Sequence, residues 1–228
     1  MSAIDTRYLE PSDFIDSDHP KIIELADSLT QIDHSQQARA VSLYYWVRDE
    51  IRYNPYAVQG DPASYRASAT LAAGEGWCVP KALLLAALCR AAGVPARVGF
   101  ADVRNHLSTA RMREMMETDL FYFHGYTAIY LDEHWRKATP AFNIELCERF
   151  GLLPLEFDGT ADSIYHPFDK AGNRHMEYVN DRGEHVDLPF DEMMAVFRTH
   201  YPRMVAAMTD HSLDAASWDQ DVAQEVTD

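Results

Sequence analysis

Basic residues are in short supply. Lys and Arg number 20 against 36 Asp and Glu, a formal net charge of −16. A nucleic-acid groove needs cations to replace condensed counterions, and an anionic membrane surface selects the same excess, so neither nucleic acid nor membrane is an expected partner. Cysteine is scarce as well. Three residues, an odd number, do not make a disulfide framework, and this points to a reducing, cytoplasmic compartment. No apolar run reaches the roughly 18 residues of a membrane span. Met1 to Glu10 lacks the basic-then-apolar order of a leader peptide. There is no HExxH, no CxxC and no paired-histidine spacing, so neither a catalytic metal nor a cofactor is expected. Repeats and low-complexity blocks are missing too.

What is present suffices for a sizeable core, since 47% of the 228 residues are hydrophobic. Ser17-Asp18-His19-Pro20 reads as a helix start, with Ile22, Ile23, Leu25, Ala26 and Leu29 as its apolar face. A second helix is expected after Asp33-His34-Ser35, where Ala40, Tyr44, Val47 and Ile51 recur at helical spacing. Residues 54–76 read as a long, functional loop with a weak helical hint near Tyr65 to Leu71. Lys81 to Ala92 is rich in Ala and Leu and apolar nearly all round. It reads as a buried central helix capped by Gly93, with Lys81 itself a solvated lysine in the first turn.

Strands are expected at Arg97 to Val103, Phe121 to Leu131 and Trp135 to Ala138, with a polar helix or lid over 106–118. Met176 to Asn180 and Glu184 to Leu188, around Asp181-Arg182-Gly183, read as a hairpin. Met194, Phe197, Tyr201, Met204 and Met208 form a helical stripe of core type, kinked at Pro202. The acidic end of the chain, without Lys or Arg beyond His211, docks on something or serves as surface. Helices, then a buried helix, then strands make an α+β fold. The expected division is residues 1–150 as helical region and catalytic core, and 151–228 as a hairpin-and-helix extension packed on it.

Cys78 lies behind Gly74-Glu75-Gly76-Trp77, at the start of the buried helix. Free N–H groups at a helix N-terminus favour a thiolate and draw its pKa toward neutrality, and they suit a developing oxyanion. Cys89 and Cys147 read as structural. His124 near the start of a strand is a rigidly held base. Trp77 walls an acyl pocket or simply packs; Gly76 lets a substrate backbone approach; Tyr53 is a candidate oxyanion donor.

Two segments together, Gly76-Trp77-Cys78 with Ala92-Gly93-Val94-Pro95-Ala96-Arg97-Val98, and His124-Gly125-Tyr126-Thr127-Ala128-Ile129-Tyr130-Leu131 running through Trp135 to Thr139-Pro140, resemble the transglutaminase-like superfamily of papain-like cysteine enzymes, over about Ala38 to Asn143. The resemblance implies a papain-like core, with the cysteine helix packed on an antiparallel sheet. It implies a Cys-His-Asp triad, but Thr139 stands where the family has Asp, so Thr139 or Asn143 is left to orient the histidine. It further implies a hydrolase or acyltransferase acting on amide bonds of a peptide or protein through a thioester. The alternative is a module that keeps the fold, has weak or no catalysis, and binds a peptide or protein. The oligomeric state is not legible.

Overall fold

The computed structural model describes residues 4–32, 35–105, 108–164, 170–172, 176–210, 213 and 217–227. The chain enters through two helices, α1 (Pro20–Thr30) and α2 (Gln36–Glu50). Pro20 occupies the first turn of α1, where its missing N–H costs nothing, and the His19 ring accepts from Lys21 N–H. Ser35 Oγ caps α2 by accepting from Ala38 N–H at 3.0 Å. Asp33 and His34 lie outside the described residues.

The expected loop over 54–76 is more ordered than its composition suggests. Strand β1 (Arg52–Tyr53) runs parallel to β2 (Glu75–Gly76), and between them lie 3-10 turns at Pro55–Ala57 and Pro62–Tyr65 and a helix, α3 (Ala67–Ala73). Asn54 and Asp61 each accept from the N–H two residues on, which nucleates these turns. Gly74, at φ 67°, ends α3 in the left-handed conformation that favours glycine.

Helix α4 (Cys78–Ala91) is the centre of the molecule, buried from Cys78 through Arg90. Helices α1, α2 and α3 pack on one side of it and the main sheet on the other, so every face needs apolar residues. Lys81 departs from expectation: it is fully buried, and its Nζ donates to the carbonyls of Arg48 (3.0 Å) and Ile51. The end of α2 leaves those carbonyls unpaired, and one long cation reaching across from α4 satisfies both.

Strands β3 (Ala96–Asn105), β4 (Leu120–Leu131), β5 (His134–Ala138) and β6 (Met176–His185) form a four-stranded antiparallel sheet in the order β5-β4-β3-β6. Helix α5 (Ala110–Met116) follows β3 and α6 (Ile144–Arg149) follows β5. The expected hairpin around Asp181-Arg182-Gly183 is instead one continuous strand, β6. Ala101 pairs with Asp181 and Gly99 with Glu184, so Arg182 and Gly183 bulge out opposite β3. Gly183 has φ 81°, and the same Asp-Gly chemistry that makes a tight turn here makes a bulge. Helices α7 (Phe190–His200), α8 (Pro202–Asp210) and α9 (Trp218–Thr227) complete the chain. Pro202 opens α8 rather than kinking a single helix. Among the described residues no helix is long and apolar enough to cross a membrane.

Candidate active site

Cys78 is the first residue of α4, preceded by Trp77 in an extended conformation. Strand β4 crosses the start of this helix at close range. A Cβ on Gly125 would sit 2.9 Å from Val79 Cα and 3.3 Å from the Cys78 carbonyl oxygen, so only glycine permits the approach. Thr127 Oγ1, two residues further along, donates to Ala82 O at 2.8 Å and ties strand to helix. The result places His124-Gly125 directly against Cys78-Val79.

The sulfur receives the N–H groups of Gly125, Val79 and Cys78 itself, all of which favour thiolate. Burial outweighs them. Cys78 is 6% exposed, and desolvation pushes its thiol up to about 12, against the lowering expected from the helix terminus alone. Cys89 is likewise pushed up to about 12 by burial inside α4.

His124, 5% exposed, lines two cavities. One, of about 50 Å³, it shares with Cys78; the other, of about 20 Å³, it shares with Thr139. His124 therefore borders both the cavity of Cys78 and the cavity of Thr139. Thr139 is 2% exposed, and its Oγ1 has no hydrogen-bond partner among the described residues. Its backbone is fully engaged: the N–H donates to Ser163 O at 2.8 Å, and the carbonyl accepts from Tyr44 Oη at 3.2 Å. Asn143 is turned to another task. Its Oδ1 accepts the Tyr53 N–H at 3.2 Å, and it lines neither cavity.

Tyr53 reaches the Cys78 cavity, and its hydroxyl is held well above the ordinary range by burial and then by the charge that Cys78 would carry. Its hydroxyl therefore stays neutral and keeps its proton in the cavity it shares with Cys78. Trp77 lines the same cavity, and its Nε1 is buried with no partner among the described residues. Gly76 serves packing: a Cβ there would meet Pro80 at 3.2 Å and Thr70 at 3.3 Å. Glu75 points away to an ion pair with Arg52.

The rest of the cavity wall was not expected to belong to the site. Pro55 and Val58, Met112 and Met116 of α5, Phe121 and Tyr122 of β4, Phe197 of α7, Tyr201 between α7 and α8, and Met204 of α8 line it. The methionine-rich stripe was visible as helical spacing, but spacing does not say which neighbour a stripe meets. The lining is almost wholly apolar, so it suits an apolar acyl group and penalises a charged one.

A family model described as the transglutaminase-like superfamily matches residues 23–140, just over half of the chain. No curated protein matches the sequence. Among solved structures the chain is similar to a candidate cysteine protease from Cytophaga hutchinsonii (20% identity, 78% of this chain and 53% of that one, TM-score 0.44). It is also similar to the periplasmic domain of TgpA from Pseudomonas aeruginosa (22% identity, 60% and 48%, TM-score 0.42). A candidate protease from Parabacteroides distasonis shares 15% identity over 58% of this chain and 24% of that one, with a TM-score of 0.38. The chain thus spans about half the length of the first of these structures.

Proposed function

Because the chain belongs to the transglutaminase-like superfamily, we propose that it is a cysteine-nucleophile enzyme that opens an amide bond of a peptide or protein whose acyl side is apolar. The supporting observation is that Cys78 and His124 line one cavity, with the Gly125 N–H directed at the sulfur. The Cys78 proton passes to His124 as the sulfur attacks the amide carbonyl. The oxyanion takes hydrogen bonds from helix N–H groups, and the Tyr53 hydroxyl and Trp77 indole are the side-chain donors at hand. His124 then protonates the leaving amine, and a thioester remains on Cys78. Water, deprotonated by His124, cleaves the thioester to release the acid and restore the thiol; an amine acceptor in its place gives acyl transfer. Thr139 accepts the other ring N–H of His124 in the working state. The apolar cavity wall and the acid-rich surface both disfavour a negatively charged acyl segment.

The buried thiol makes the test sharp. A thiol at about 12 by itself is inert at neutral pH, so reactivity near pH 7 requires that His124 take the proton. Labelling of Cys78 by an electrophilic peptide probe is followed across pH in the wild type and in His124→Ala. The expected result is rapid labelling near pH 7 in the wild type and, in the variant, labelling that rises only in strongly alkaline solution. Superimposable curves would return the chain to the alternative reading of a non-catalytic binding module, the reading that Thr139 in place of a carboxylate favours.

A further inference from the structure

Four non-glycine residues among those described have positive φ. Three sit where such backbone is ordinary: Glu117 at the C-cap of α5, and Asp132 and Glu133 in the turn between β4 and β5. The fourth is Phe123, at φ 58°, inside β4 and immediately before His124. A bulky residue in the left-handed region is strained, and such strain persists only where its surroundings impose it.

The surroundings are specific. Phe121 pairs with Val103 and His124 with Ala101, so Tyr122 and Phe123 together stand opposite the single residue Asp102. This is a β-bulge. Residues three apart on an unbroken strand face opposite sides of the sheet. Phe121, Tyr122 and His124 nevertheless all line the Cys78 cavity, so the simple alternation of a flat strand is broken just before His124, where the bulge and the positive φ of Phe123 lie.

A bulge releases N–H groups from the ladder, and here side chains take both. Tyr122 N–H donates to Tyr201 Oη at 2.6 Å, and Phe123 N–H to Asp102 Oδ1 at 3.2 Å. The Tyr201 hydroxyl donates in turn to Leu120 O at 2.7 Å. Asp102, 4% exposed, is fixed by Arg182 Nε at 2.5 Å and Asn180 Nδ2 at 3.2 Å, and the Arg182 guanidinium lies 4.5 Å from the centre of the Phe123 ring. Arg182 reaches this place because it stands on the bulge of β6.

We propose that Asp102 is a positioning residue for His124: clamped by Arg182 and Asn180, it holds the Phe123 N–H and with it the bulge that aims the imidazole at Cys78. This rests on the reading of Cys78 and His124 as the reacting pair. It gives the C-terminal region a part in the site, since Asn180, Arg182 and Tyr201 all come from there. The carboxylate acts through the backbone and is distinct from the position occupied by Thr139.

A double-mutant cycle on probe labelling of Cys78 at neutral pH tests it. Asp102→Ala is expected to slow labelling about tenfold, and Asp102→Asn, which keeps an acceptor oxygen for Phe123 N–H, by about threefold or less. In a His124→Ala background neither substitution has a further effect. A merely structural role would instead slow labelling equally in both backgrounds. If Asp102→Ala does not fold, Tyr201→Phe, which orphans the Tyr122 N–H of the same bulge, is expected to reproduce the pattern. Wild-type labelling in Asp102→Ala, or losses that multiply with His124→Ala, overturn the proposal. If His124→Ala itself labels like the wild type, it is the reacting pair that fails.

Discussion

Thr139 concentrates the chemical question at the residue scale. A buried hydroxyl without a partner costs about 1–3 kcal/mol, so its retention needs a reason. A ring N–H of His124, presented when the imidazole is charged, is such a reason. Thr139→Val, nearly the same in volume, is therefore expected to raise the melting temperature while slowing probe labelling of Cys78. Unchanged labelling would remove Thr139 from the site. Thr139→Asp should do the reverse, losing stability by burying a carboxylate and gaining rate by pairing it with the imidazolium. Trp77→Phe probes the second orphan: it keeps the aromatic wall against Tyr65 and Phe197 but deletes Nε1–H. The smaller ring should cost about 1–2 kcal/mol of stability, partly offset by removing the unpaired N–H, and acylation by an amide substrate should fall. The family could be read from the chain because the segments around Cys78 and His124 are specific in order and context, and the structure brings both residues to one cavity. The orphaned atoms could not, because satisfaction of a polar group is a property of all its neighbours at once.

Among the elements, α4 was legible and its one misfit was not. A run of Ala and Leu announces a buried helix, but a lysine in its first turn reads as solvated until α2 is seen to end against it. Burial pulls the Lys81 ammonium down to about 7, with Asp49 pulling the other way. Above that pH the folded chain has released a proton that the unfolded chain, with an ordinary lysine, still holds. Stability therefore rises with pH from about 7 upward, by at most about 1.4 kcal/mol per pH unit. The thiols of Cys78 and Cys89, pushed up to about 12, and of Cys147, pushed up to about 11, act oppositely, beginning at about pH 8, where the unfolded thiols start to ionise. Urea midpoints at about pH 7 and pH 8, below most of the thiol ionisation, should diverge for the wild type and run flatter for Lys81→Met. Parallel behaviour would mean that the two carbonyls keep the amine charged. The bulges show the same limit from another side. Asp-Arg-Gly has the chemistry of a turn, and only the pairing of β6 along the whole of β3 decides that it bends a strand instead of reversing it.

At the scale of the whole molecule, the region after residue 150 closes what the first part opens. Strand β6 completes the sheet, α7 and α8 wall the Cys78 cavity, and α9 seals the neighbouring face. Helix α9 is held in two ways. Its acids pair with cations around the site: Asp219 with Arg52 (2.8 Å) and Arg149 (3.4 Å), Asp221 with Arg111 (2.8 Å), and Glu225 with Arg113 (3.1 Å). Trp218 meanwhile packs against Tyr53, Tyr56 and Phe150. The acids were visible in the sequence; their cations, scattered from Arg52 to Arg149, were not. Exposed ion pairs contribute about 0.2–1 kcal/mol each and are screened beyond about 10 Å at 0.1 M salt, whereas truncating a buried tryptophan costs about 3–5 kcal/mol. The aromatic anchor should therefore dominate. Limited proteolysis with mass readout is expected to leave α9 protected in 1 M salt and in Arg111→Glu, and to release it in Trp218→Ala. Release by salt alone would make the helix an electrostatic latch. Because Trp218 packs on Tyr53, and Tyr53 lines the Cys78 cavity, freeing α9 should also speed labelling of Cys78 by a bulky probe more than by a small one, which separates an opened entrance from a changed thiol.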